Sequence, residues 1–107
     1  MNRTREEILA ERQRLRQKYD QLFAATVALL FRYDPVGIIF ECNNDEYSPE
    51  AGTILPRLSR CRSAEDVLPI VYEEFLHWFS NAAGPRDRYV EISAELWELW
   101  QKYQSDV

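Results

Sequence analysis

The sequence predicts an all-α protein, a compact bundle of about four helices with a long N-terminal helix and an irregular segment at about 34–47. Three observations predict it. Only 3 glycines and 5 prolines punctuate 107 residues, which suits a few long elements better than the many short turns of a sandwich or barrel. A hydrophobic share of 46%, with 13% aromatic and 29% charged residues, is rich enough to build a core and ordinary in charge for a globular chain. The apolar residues of the last two predicted helices recur at helical spacing. At this length, residues 1–107 are expected to make one helical domain.

Thr4 with Glu7 is a capping box, in which the two side chains satisfy amides at a helix start. A helix of nearly thirty residues is expected from Arg5 to the Asp34-Pro35-Val36-Gly37 break. Its front is charged, with apolar residues at Ile8, Leu9, Leu15 and Tyr19, and its back, from Leu22 to Phe31, is apolar almost all round, as a buried helix is. The front is expected either to be a solvated face or to project from the bundle and pair with a second copy. Val36 to Phe40 reads as extended or turn-like, with one short strand as an option, and a polar stretch follows to Tyr47. Ser48-Pro49-Glu50 predicts a second helix, with Ser48 as N-cap and Pro49 at the first helical position, where its missing N–H costs nothing. That helix is expected to run to about Arg60, weakened by Gly52 and Pro56. Ser63 and Asp66 open a third helix, which runs to about Ala82 with Pro69 near its start; Gly84-Pro85 opens a fourth, which runs to about Tyr103.

At about 100° per residue, Tyr89, Ile92, Leu96, Leu99, Trp100 and Tyr103 share one stripe of the fourth helix. Val90 and Trp97 fall outside it and widen the apolar arc to roughly half the circumference, beyond the usual stripe. The third helix is wider still. Either a dimer or partner surface covers this excess, with Val90 and Trp97 as interface residues, or the Ile38-Ile39-Phe40 segment does.

A formal net charge of -5 argues against a duplex nucleic-acid partner, whose phosphates are normally met by basic residues. It favours a basic partner. The Leu22–Phe31 run is ten residues, about half of the roughly 20 that cross a bilayer, so no membrane span is expected. Nothing resembling a signal peptide precedes Cys42 and Cys61, and a reduced cytoplasmic pair is the expectation. The arginines of the first helix, including Arg12, Arg14 and Arg16, alternate around it rather than forming one stripe. They serve solubility and intrahelical pairing, or contact an acidic partner or an RNA backbone.

No phosphate-binding glycine loop, nucleophile elbow or His-Glu-x-x-His pattern is present. Glu41, Asn43 and Asp45 have the alternating oxygen spacing that starts a calcium loop, but Glu46 and Gly52 occupy the positions where such a loop needs glycine and a bidentate glutamate. Two cysteines without close spacing and a single histidine make a poor metal set. His77, close behind Glu73 and Glu74 on a polar helix face, is either a general base held by a carboxylate or a member of a surface ion pair. No cofactor, metal or catalytic set is therefore expected, and an enzyme or ligand-binding bundle using His77 and Glu73 stands as the alternative to a binding role. Glu41, Asp45, Glu46 and Tyr47 supply charge and an aromatic anchor for a protein partner.

Tyr33-Asp34-Pro35-Val36-Gly37-Ile38, followed by Asp45-Glu46-Tyr47, resembles the pattern of small bacterial YugE-like proteins over about Phe31 to Phe79. The resemblance implies a small helical fold in bacterial cytosol and no defined activity. Asp45-Glu46-Tyr47-Ser48-Pro49-Glu50 is similar to the acidic helix start of immunity proteins that neutralise nuclease toxins. That likeness implies carboxylates and tyrosine offered to a basic enzyme surface, which speeds association. The functional expectation is a non-enzymatic protein-binding module of bacterial cytosol, of the immunity type, or a structural homodimer.

Overall fold

The computed structural model describes residues 4–37 and 47–105. Glu7 N–H donates to Thr4 Oγ1 at 3.1 Å, and from that cap α1 runs unbroken over Arg5–Tyr33 for 29 residues. It stops at Asp34, which takes the left-handed conformation (φ 43°) that aspartate tolerates better than most residues. Pro35 then bars a further turn. The expected strand within Val36–Phe40, and the Ile38-Ile39-Phe40 cover, fall largely or wholly outside the described residues.

The second helix differs from expectation. α2 spans Ser48–Ile54, with Tyr47 rather than Ser48 at the cap and no side-chain bond closing it. The backbone continues as a 3-10 helix over Leu55–Arg60, with Pro56 in its first turn; a proline N–H is missing from the α-helical ladder there, and the chain tightens instead. Ser63 caps α3, Ala64–Phe79, by accepting from Asp66 N–H. Asp66 Oδ2 accepts in return from Arg62 N–H at 2.9 Å. Pro69 sits inside α3, which stays continuous and ends earlier than expected, in a 3-10 turn at Ser80–Ala83. The fourth helix begins with a 3-10 turn at Arg86–Tyr89 before α4, Val90–Ser105.

A single core lies where α2, α3 and α4 meet the back half of α1. Tyr47, Ala51, Ile54 and Leu58 are fully buried from one side, Val67, Val71 and Phe75 from α3, and Ile92 and Leu96 from α4. Phase explains the selection: 47, 51, 54 and 58 repeat at helical spacing. Phe75 stacks with Phe79 (5.6 Å) and meets Tyr89 (5.0 Å) and Tyr47 (6.0 Å). In α1 the core takes Leu22, Val27, Leu29 and Leu30, and the buried Thr26 hydroxyl is satisfied by the Leu22 carbonyl at 2.8 Å.

α1 and α4 run antiparallel. Arg32 pairs with Glu95 at 2.6 Å near one end, and Tyr19 meets the Tyr103 ring edge-on, 6.5 Å between centroids, near the other. Beyond Tyr19 the front of α1 leaves the bundle. The radius of gyration, 15.7 Å, exceeds the ~13 Å of a compact chain this long, and the long axis reaches 54 Å.

Candidate functional site

The front of α1 and the seam where it joins α4 form the candidate interaction surface. Every residue from Thr4 to Ala10 is exposed, and farther along Glu11, Leu15 and Lys18 are half-buried. Those three, with Ile8 before them and Leu22 after, trace one line along the helix, because steps of three and four residues return to one face. Ile8, Leu15, Leu22 and Leu29 recur every seven residues on that line. The face that enters the core at Leu22 therefore continues outward past the end of α4. Ile8 and Tyr19 expose 38% and 37% of their surface there, and Leu9, about 100° around the helix from Ile8, exposes 53%.

Where the front meets the bundle, a cleft of ≈ 200 Å³ opens between α1 and α4. Its floor is Leu22, Ala25 and Leu99, and Lys18, Lys102 and Tyr103 stand around it. A second furrow shares Ala25, Leu99 and Lys102 and continues toward Arg32 and Glu95. Alanines at 25 and 28 leave the seam open on this side. An apolar floor between two lysines suits an apolar side chain carried next to a carboxylate.

The residues expected to bind a partner are distributed differently. Glu41, Asp45 and Glu46 lie outside the described residues, as does Cys42. Tyr47, expected as an exposed anchor, is buried: its ring packs on Phe75, and its hydroxyl donates to Asp34 Oδ1 at 2.5 Å while receiving Val36 N–H at 3.5 Å. Burial, reinforced by the Asp34 carboxylate, pushes its phenol well above the usual range. Tyr47 thus ties the two ends of the segment together instead of presenting a ring to a partner. Asp34 and Tyr47 are joined by a hydrogen bond across the segment's base. Arg88 reinforces the same turn by donating to the Pro35 carbonyl at 2.6 Å. Its guanidinium lies so close over Gly84 that a Cβ there would stand 2.6 Å from Nη1, and φ of 78° at that glycine adds strain to any side chain.

Val90 is half-exposed (51%), as an interface residue must be, whereas Trp97 is partly buried against the core. Leu76 and Trp78 leave further apolar surface on α3, with Trp78 Nε1–H donating to Thr53 Oγ1 at 3.2 Å.

His77 stands apart from both clefts and from its expected carboxylate partners. It is exposed, stands edge-on to Trp78 and lines neither cleft. Glu73 and Glu74, its expected partners, are held by the two arms of Arg57 at 2.7 and 3.1 Å. Among the described residues no cluster of three or more His, Cys, Asp or Glu side chains is placed to hold a metal, and no helix is long and apolar enough to cross a membrane. Cys61 is a free, half-buried thiol whose pKa is raised by burial. Sequence reasoning named the α1 front but missed the cleft, which exists only where α1 and α4 meet.

No family model matches the chain, and neither a curated protein nor a solved structure matches it.

Proposed function

We propose that this chain is a non-enzymatic protein-binding module that works in bacterial cytosol and binds through the front of α1 and the cleft behind it. One observation carries the reading: the apolar line that packs the core at Leu22 and Leu29 runs on through a half-buried Leu15 to Ile8, which is exposed among the described residues. Exposed apolar side chains next to a core-lined cleft are typical of surfaces that another polypeptide covers. The free Cys61 thiol suits a reducing compartment.

Inhibition of a basic toxin is the form of this role favoured by the net charge of -5. With Tyr47 committed to the core, its acidic contacts would fall to Glu41, Asp45 and Glu46. The binding surface is tested by quantitative co-isolation from host cells with the wild-type chain and with an Ile8→Asp/Leu9→Asp variant. Loss of the recovered partner is expected for the variant; equal recovery moves recognition away from α1.

A further inference from the structure

One line of residues along α1 leads out of the core into solvent. Leu30 lies on it fully buried, and Phe23, seven residues earlier, packs against the core. In the front half the same line passes through Arg16, Arg12 and Arg5, which fall within about 40° of one another around the helix. Arg14 lies on the opposite side, which is why Arg12, Arg14 and Arg16 make no single stripe. Ile8 and Tyr19 flank the line on one side and Leu9 on the other, and all three arginines are exposed. Where the packed half keeps apolar residues, the projecting half sets cations between apolar flanks.

The chain supplies these cations with no anion. Arg32 and Arg57 are ion-paired with Glu95, Glu73 and Glu74, whereas among the described residues Arg5, Arg12 and Arg16 enter no ion pair. Asp20 stands roughly 40° around the helix from Arg16, and Glu6, Glu7 and Glu11 lie farther from the line.

We propose that the front of α1 docks an acidic amphipathic helix of another protein, whose carboxylates meet Arg5, Arg12 and Arg16 while its apolar residues cover Ile8, Leu9 and Tyr19. The inference rests on the protein-binding reading above. It fixes the local charge of the surface that meets α1, not the net charge of the whole partner.

Spacing selects a helix as the occupant. Along the axis Arg5 and Arg12 are about 10 Å apart and Arg12 and Arg16 about 6 Å, close to two turns and one turn of an α-helix. One stripe of carboxylates on a partner helix therefore reaches all three, and each guanidinium offers a planar fork that fits a carboxylate. A nucleic-acid backbone matches the charge but leaves the apolar flanks uncovered. An anionic membrane takes helices whose apolar face is continuous and whose cations stand on the polar side, and here the cations occupy the middle of the face.

The test is fluorescence anisotropy of a labelled synthetic helix with a glutamate stripe between leucines, titrated with the full chain. Saturable binding that weakens with added salt is expected. Arg12→Glu is expected to loosen it on the order of tenfold and Arg14→Glu by no more than about twofold, with helical circular dichroism unchanged in both. The same helix with lysines in place of glutamates is expected not to bind. No binding of the glutamate helix, equal loosening by Arg12→Glu and Arg14→Glu, or tighter binding of the lysine helix, an oligouridine RNA or phosphatidylglycerol vesicles overturns the proposal. If Arg12→Glu co-isolates as much host partner as wild type while Ile8→Asp/Leu9→Asp loses it, the protein-binding reading stands without the acidic helix; if neither variant loses it, both fall.

Discussion

The two halves of α1 belong to one uninterrupted helix and are held by different physics. From Leu22 to Tyr33 the helix is fixed by tertiary contacts: Leu30 is fully buried and Leu22, Val27 and Leu29 nearly so. From Arg5 to Asp20 no side chain is fully buried, and order comes from the Thr4 cap, from intrahelical charges and from continuity with the packed half. Most helical stability in proteins comes from packing an amphipathic face rather than from propensity. The front is thus helical on loan from the back.

Substitutions can break the contrast in order of expected size. Leu30→Ala opens a cavity in the packed half and is expected to cost about 2–5 kcal/mol in urea denaturation. Loss below about 1 kcal/mol would mean that the back half is not the anchor. Tyr47→Phe removes the hydroxyl that joins Asp34 to Val36 and is expected to cost about 1–3 kcal/mol, because the carboxylate and amide lose a shared partner.

Alkaline pH acts on the same core. Burial pushes the Tyr89 phenol up to about 12 and raises Tyr47 further. Phenols raised in the folded state stay protonated while the unfolded chain releases their protons above ~10. Their stabilisation is thus complete below pH ~10 and declines as pH rises toward the folded values. Urea midpoints measured at pH 8 and at ~10.5 are expected to fall, and Tyr47→Phe is expected to lessen the fall; a flat profile contradicts the assignment.

Smaller effects sharpen the contrast from the other side. Arg32→Ala removes an exposed pair with Glu95 and is expected to change stability by no more than about 1 kcal/mol. Leu9→Ala, on the projecting half, is expected to stay within about 0.5 kcal/mol when measured at low protein concentration, where association does not contribute.

The legible parts of this molecule are those governed by local chemistry. Thr4 and Ser63 cap the helices they were expected to cap, and Asp34-Pro35 ends α1. Mid-helix prolines were legible as disturbances but not as outcomes: Pro56 accompanies a change to 3-10 geometry, while α3 runs on through Pro69. Tyr47 was misread because its neighbours are acidic. Its depth is set by what lies ahead of it, since Tyr47, Ala51, Ile54 and Leu58 share a helical face and are all fully buried. The charge on Glu73 and Glu74 was legible, but its use depends on Arg57, brought up by the turn after α2. The cleft depends on two elements from opposite parts of the sequence, and periodicity within either one gives no sign of a gap between them.

The antiparallel seam of α1 and α4 also sets an order of events. Arg32 and Glu95 are separated by 63 positions, so the apolar back of α1 emerges from the ribosome well before the helix that will cover it. Closing so long a loop is slow relative to local helix formation. Until α4 arrives, Leu22, Leu29 and Leu30 are adhesive surface on a nascent chain, and the charged segment ahead of them is the neighbour best suited to keep that surface in solution.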